Sequence, residues 1–450
     1  MIRGLFPGLS WLSFFAIAIS LHQGFVLFYS INHVIPIRYL FGCLMCLQML
    51  VGPVFAYNGL DKFVYTIYSM KIPEETYFLY VIPAVLCFIF GLHLNAGNLK
   101  GEVIDVNSVK KFTQQQPDLP YIFIVIGFVA SLLSILVPGN FSTTDAISQR
   151  GGSGWLFFVL YLLGDLKYIG VFLMILGKPR MKALPTILVY GSIISSSLGS
   201  GMFHDLLTWV IMLAAIFAIR YKPPNYIKGI FVFGFLTLAF TIQMVKSNYR
   251  SLLGNTENAG VSTFTEALEQ RESKNDVFDI KSLAISNIRI NQGFIITNIM
   301  KTVPDRIPYS NGAELGQILE AAFLPRFLAP DKLEAGDQKI FNKYTGLNVR
   351  SGTSMGLSSV GDAYINFGII GGCIFMFFLA LLYNGILKVF YHYSKFIPVL
   401  LLLTPLVFYY PIRPDCELQT GFGHVIKSCF LIVALFIIWR KAFIINRLTY

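Results

Sequence analysis

Residues 363–387 read AYINFGIIGGCIFMFFLALLYNGIL, a run without a single charged side chain. A helix needs about 20 apolar residues to cross the hydrocarbon of a bilayer, so this stretch reads as a membrane span. Outward from it, similar runs recur near 9–30, 35–56, 76–95, 120–138, 155–177, 183–199, 202–220, 227–245, 396–411 and 423–440. The spacing predicts an all-α polytopic membrane protein with about eleven transmembrane helices. Composition agrees. Charged residues make up 13% of the 450, where a soluble domain carries about 25%. The chain divides into an N-terminal bundle of about eight spans (1–245), one long polar segment (246–362) and a C-terminal bundle of about three spans (363–450).

Lys and Arg in short connections set orientation. Lys100, Lys110 and Lys111 follow span three, and Lys178, Arg180 and Lys182 follow span five. Arg220, Lys222 and Lys228 bracket the connection after span seven; Lys388 and Lys395 follow span nine; Arg440, Lys441 and Arg447 follow span eleven. All fall on one side of the alternating pattern, which is therefore expected to be cytoplasmic, with the C-terminus. Lys62 and Lys71, after span two, are the exception. The net charge of +11 thus reads as topology, and no basic stripe suggests nucleic acid. The long segment is placed outside, and an odd span count puts Met1 outside too, against Arg3.

That segment exceeds the length of an ordinary connector and has the signals of folded structure. Thr263 and Glu266 are spaced as a capping box. Asn311 and Glu314 precede Leu315, Ile318, Leu319 and Ala322 at helical spacing, with Pro325 closing the run. Ser282–Met300 reads as one apolar helix whose Ile285, Ile288, Ile295, Ile296 and Ile299 share an arc with Arg289 and Gln292. The stretch Ser195–Gly201 (SSSLGSG) reads as a tight turn between two short spans.

Several chemistries lack their motifs. There is no HExxH and no paired Cys/His spacing in the long segment, and no phosphate-binding GxxxxGK[ST] or GxGxxG in the chain. Cys43 and Cys46 form a CxxC inside an apolar run with no second pair, which reads as buried packing. Ionisable groups within spans are costly and suggest function. Asp165 and Lys167 lie mid-span, where they either pair within the bundle or mark a proton pathway. His204 and Asp205 follow an outward turn. Gly352–Gly372, GTSMGLSSVGDAYINFGIIGG, leads from the long segment into span nine. Its Asp362 reads equally as a helix N-terminal cap or as a carboxylate that takes a proton from a hydroxyl.

Many spans, one large outward segment, and the successive stretches SNIRINQGF, VPDRIPYSNG, LPRFLAPDK, TG–GTS and GDAYINFGIIGG over roughly 282–375 resemble the bacterial oligosaccharide repeat-unit polymerases, the O-antigen (Wzy-type) polymerases. The resemblance implies a glycosyltransferase-type enzyme of the cytoplasmic (inner) membrane. It would move a growing glycan from its undecaprenyl diphosphate carrier to a sugar hydroxyl of a new lipid-linked unit, making O-antigen, capsule or exopolysaccharide. The sugar–diphosphate bond supplies the energy, so no nucleotide, cofactor or metal is needed. A chain-length-regulating co-polymerase and a flippase are the implied protein partners. Cations must then hold the departing diphosphate, and Arg250, Arg289, Arg326 and Lys332 are the candidates. Asp362 is the candidate base and His204 a second one. Related enzymes carry a Ser-Arg pair at an outward turn; the corresponding GSGMFHD (199–205) lacks the arginine.

Two alternatives share these features. An O-antigen ligase uses the same donor, but its corresponding stretch carries a histidine where GDAYINFG begins, and Asp362 stands there instead. A lipid-linked oligosaccharide transporter would show an internal repeat and short connections throughout, and neither is present.

Overall fold

A computed structural model describes residues 9–96, 102–136, 154–178, 183–253, 261–272, 280–324, 333, 338–349 and 355–439. The helices are α1 (Trp11–Ser30), α2 (Ile37–Tyr57), α3 (Glu74–His93), α4 (Val106–Gln115), α5 (Leu119–Leu136), α6 (Gly154–Gly177), α7 (Ala183–Ser200), α8 (His204–Tyr221) and α9 (Asn225–Leu253). In the long segment lie α10 (Val261–Glu272), α11 (Ile280–Ile290), α12 (Gly293–Thr302), α13 (Ala313–Phe323) and α14 (Gln338–Thr345), followed by α15 (Ser358–Ser394), α16 (Val399–Phe408) and α17 (Leu418–Ile438). Ten of them, α1–α3, α5–α9, α15 and α17, are long and apolar enough to cross a membrane.

Their apolar residues run all round the helix, which is the pattern of helices with lipid on one side and protein on the other. Leu132, Phe233, Ile370 and Phe430 are exposed on the outside of the bundle, while Phe41, Phe88, Tyr383 and Phe408 stack in its centre. The eleventh expected span is the short α16. Its ten residues rise only about 15 Å. Yet residues 395–417 still carry the chain from the C-terminal end of α15 back to the level of its N-terminus, where Leu418 meets Asp362.

The bundle therefore has two ends. One gathers the connections after α1, α3, α6, α8 and α15. Ile104 N–H bonds His33 O at 3.0 Å, Lys388 Nζ reaches Leu94 O at 3.1 Å, Arg220 Nη1 reaches Lys178 O at 3.0 Å and Lys228 Nζ reaches Phe28 O at 3.1 Å. A buried ion pair fastens this end. Arg38, 1% exposed, donates to Glu102 at 2.5 Å, to Asn384 Oδ1 at 2.9 Å and to Leu92 O. Burial pushes the Glu102 carboxyl up, and the Arg38 guanidinium pulls it back only in part. The other end carries α10–α14 and is called the loop end below.

The long segment does not sit on the surface as an appendage. Where one helix is expected over Ser282–Met300, the chain breaks at Asn291–Gln292 into α11 and α12, which dip into the bundle and return. Gln292 N–H donates to Gln48 O at 3.1 Å, and Asn287 Nδ2 donates to Gly52 O at 3.0 Å. These carbonyls lie at a π-helical turn, Leu47–Val51, where α2 loosens its own ladder; such turns free backbone groups for other partners. Tyr77 Oη takes a third, Met49 O, at 2.8 Å. Gly52 makes the approach possible: a Cβ there would stand 2.7 Å from Asn291 Cα and 2.8 Å from Ile290 O. All of α12 is buried except Lys301. The expected polar residues on the apolar arc divide accordingly: Gln292 is half-buried at the break, while Arg289 and Ile285 are exposed.

Two local readings shift. The turn expected over Ser195–Gly201 is shorter, since α7 continues to Ser200 and the chain reverses over Gly201–Phe203. Thr263, expected as a cap, lies buried inside the first turn of α10.

Candidate functional site

At the loop end, α15 begins with a fastened ten-residue piece. Gly368, at φ +68°, interrupts its helical backbone, and the Tyr309 ring packs against that glycine. Before the break, Tyr80 Oη donates to Val360 O at 2.7 Å. Asn366 ties three groups together: its Oδ1 accepts from Ser310 Oγ at 2.8 Å and Leu315 N–H at 3.1 Å, and its Nδ2 donates to Asp362 O at 2.8 Å. The side chains of Ile296 and Ile299 on α12 press on Gly361. Residues 358–367 are thus gripped by α3, α12 and the connection leading into α13.

This grip sets Asp362. Its side chain is 6% exposed. Oδ2 accepts the Leu418 N–H at 2.8 Å, so the carboxylate caps α17, a different helix from its own. This satisfies one of the free N–H groups that a helix start presents. Asp362 also lines a cleft, together with Glu314, Ile318, Leu333, Phe341, Tyr344, Leu357, Ile365, Glu417 and Gln419. The space, counted out to open solvent, is about 430 Å³. Glu314 Oε1 accepts from Tyr344 Oη at 2.6 Å and from Lys343 Nζ at 3.0 Å. Burial and that carboxylate push the Tyr344 phenol up, while the Tyr344 hydroxyl and Glu314 raise the Lys343 ammonium. Gln419 Nε2 holds Leu333 O at 2.9 Å, and Thr420 Oγ1 donates to Glu417 Oε1 at 2.8 Å.

Beside the cleft runs Tyr409–Glu417, the turn between α16 and α17. Tyr409 Oη donates to Asp205 Oδ1 at 2.5 Å, and the His204 ring lies 6.1 Å from that of Tyr409. Arg413 Nη2 pairs with Asp415 Oδ2 at 3.0 Å and lies over the Tyr410 ring. Burial alone would raise the Asp415 carboxyl; the guanidinium outweighs it and holds the carboxyl below the usual range. The backbone of Asp415 and Glu417 packs on Gly356, just before α15. One short turn therefore touches both the His204–Asp205 corner and the Asp362 cleft.

The expected site residues are only partly united. Asp362 lines the cleft. His204 opens α8, with Nε2 3.3 Å from Thr208 Oγ1, and is not part of the cleft lining. Arg289 is exposed in the last turn of α11 and does not line the cleft either. Arg250 lies near the end of α9; its side chain, and Arg326 and Lys332 altogether, fall outside the described residues. Lys167 Nζ donates to Ser131 Oγ on α5 at 2.9 Å, and the buried Asp165 lies close enough to both Lys167 and Asp205 to interact with their charges. Sequence reasoning did not assign Glu314, Tyr344, Glu417 or Gln419 to a site. The available signal was PIRPDCE (411–417), with three charges in five residues of a turn between two apolar runs.

Chemically, the described lining of the cleft offers three acidic side chains, Asp362, Glu314 and Glu417, and aromatic and aliphatic walls. That set suits the hydroxyls and apolar faces of a sugar, and among the described lining residues there is no Lys or Arg to hold a diphosphate. Among the described residues no group of three or more His, Cys, Asp or Glu is placed to hold a metal ion.

No curated protein and no solved structure matches the chain. A family model described as a domain of unknown function does match, over residues 96–390, which takes in α4 to most of α15 and so both Asp362 and the whole of the long segment. The matched region is well over half of the chain, and the protein belongs to this family, DUF8712.

Proposed function

We propose that the protein is a glycan polymerase of the bacterial cytoplasmic membrane, joining undecaprenyl-diphosphate-linked repeat units at the outer face. The observation that supports it best is the placement of the buried Asp362 carboxyl in the lining of the cleft. That cleft is open to solvent at the loop end of the helix bundle, and the carboxyl lies on a segment held from three sides. In this reading the acceptor sugar lies in the cleft and its hydroxyl gives a proton to Asp362. The hydroxyl oxygen forms a bond to the anomeric carbon of the donor, whose bond to the diphosphate oxygen breaks. Undecaprenyl diphosphate leaves with that electron pair. Arg289, Arg250, Arg326 and Lys332 are the cations proposed to hold it, with the polyprenyl chain in the bilayer beside the bundle. His204 sits one turn away and is the second candidate base. The chain passes the membrane eleven times, α16 included, with the loop end outside.

The test is a gel of surface glycan from a deletion strain, with and without the gene restored. The expected result is a ladder that collapses to a single repeat unit and returns on complementation. Complete loss of glycan would point instead to flipping or ligation, and an unchanged ladder would reject the proposal. Loss of the ladder on restoring a gene that carries both Arg289→Ala and Arg326→Ala supports the diphosphate assignment; a normal ladder refutes it.

A further inference from the structure

We infer that the junction where α11 and α12 break against α2 binds a monovalent metal cation, Na⁺, whether or not the protein is a polymerase. Three side-chain oxygens of that junction, Gln48 Oε1, Ser286 Oγ and Asn287 Oδ1, are buried and meet no hydrogen-bond partner in the protein. Ser286 is 8% exposed and Asn287 6%. A buried oxygen left unmatched is costly, so three at one crossing call for a shared partner. Amide oxygens accept and cannot donate, and a cation meets several of them at once.

The backbone brings these residues to one place. Gln292 N–H on Gln48 O at 3.1 Å and Asn287 Nδ2 on Gly52 O at 3.0 Å fix both sides of the break against successive turns of α2. The Asn287 amide is planar, so its Oδ1 stands beside the same α2 turn. The π-helical turn adds backbone oxygens. Gln48 O, Met49 O and Gly52 O each accept one bond from outside α2, and a carbonyl keeps a second lone pair. The C-terminus of α11 also ends here, and the last carbonyls of a helix are its negative pole. Arg289 in that last turn is exposed and two residues from Asn287, hence on another side of the helix. Broken helices whose freed carbonyls are buried in a membrane bundle are a setting that holds Na⁺. Neutral oxygens suit a monovalent ion, whereas Ca²⁺ draws on carboxylates. The ion ties α11 and α12 to α2. Because Ile296 and Ile299 of α12 press on Gly361, it also steadies the segment that carries Asp362.

The test uses the full-length protein in nanodiscs. Radiolabelled Na⁺ is followed by scintillation proximity, and thermal unfolding is read in NaCl and in choline chloride at equal ionic strength. Saturable Na⁺ binding is expected, with a melting temperature in NaCl higher by about 2 °C at tenfold over the dissociation constant. Gln48→Met keeps the volume and the backbone carbonyl and removes Oε1. It should weaken Na⁺ binding about tenfold or more and abolish the NaCl increment. In choline its melting temperature should stay at or above that of the wild type, because an unmatched oxygen is gone. Ser286→Ala should act in the same direction. Equal melting temperatures in the two salts, without saturable binding, would show that water satisfies these oxygens and would overturn the inference. So would an NaCl increment that survives in the double variant Gln48→Met and Ser286→Ala.

Discussion

Asp362 carries two loads at once: it caps α17 through Oδ2 and forms part of the cleft lining. The two can be parted by mutation. In Asp362→Asn the amide oxygen still accepts the Leu418 N–H, so the fold should survive, but the side chain no longer takes a proton at neutral pH. Wild-type amounts of protein with the ladder collapsed to one unit is the expected outcome; a normal ladder would end the base assignment. Asp362→Ala removes the cap as well and should cost about 1 kcal/mol of stability on top, read as a lower melting temperature than that of Asp362→Asn. Nearby, Arg413 and Asp415 give a prediction in pH. The folded Asp415 carboxyl lies below its ordinary value, so it contributes stability above the unfolded value of about 4 and loses it as pH falls through the lower folded one. Arg413→Gln removes the cause. Melting temperatures in detergent should differ most near neutral pH, and the gap should narrow toward about pH 3; a gap that does not change with pH would show that the pair acts only by packing. At this scale the sequence was informative where a residue stands alone. Asp362 is legible because it is an acid at the start of an apolar run. Glu314 and Glu417 are not, because each acquires its place only when α13, α14 and α17 converge, and nothing in their local spacing encodes that.

At the scale of elements, the spans were readable because lipid imposes one length on every crossing helix, and each of the ten long ones coincides with an apolar run. What escaped is the path of α11 and α12. An apolar stretch such as Ser282–Met300 looks the same whether it lies under a loop or dips into a bundle. The break at Asn291–Gln292 depends on carbonyls offered by the π-turn of α2, some 235 residues earlier for the Asn287–Gly52 bond. The junction stands on Gly52. An added methyl there would meet backbone atoms of Asn291 and Ile290, which cannot move aside as a side-chain tip can. Overpacking of this kind costs about 1–3 kcal/mol. Gly52→Ala should therefore lower the melting temperature and raise the accessibility of a cysteine placed at Ala284, which is fully buried on α11. Gly234→Ala, on a glycine with open space around it, should do neither. If both glycine variants behave alike, α11 and α12 are not seated against α2 as described.

For the whole molecule, the two ends differ in charge as well as in shape. Lys110, Lys111, Lys178, Arg220, Lys222, Lys228, Lys388 and Lys395 all lie at the end opposite α10–α14. The helix order brings them together there although they come from four separate connections. Cations of this kind are retained on the cytoplasmic side, and the buried Arg38–Glu102 pair fastens that same end. Lys62 and Lys71 remain at the loop end, but Lys71 Nζ is bonded to Thr66 O and to Ser69 Oγ, at 2.7 Å for the latter, and it sits in a folded turn between α2 and α3. With Arg413 in the α16–α17 turn the count is eight against three, and the loop end is expected to face out. Single cysteines introduced at Lys222 and at Glu320, in a chain whose native cysteines are replaced by serine or alanine, test this with a membrane-impermeant maleimide on intact cells stripped of their outer barrier. Glu320→Cys should label in the intact cells and Lys222→Cys only after lysis. The reverse pattern would put α10–α14 in the cytoplasm, where no acceptor glycan is exposed, and the polymerase proposal would fall with the orientation.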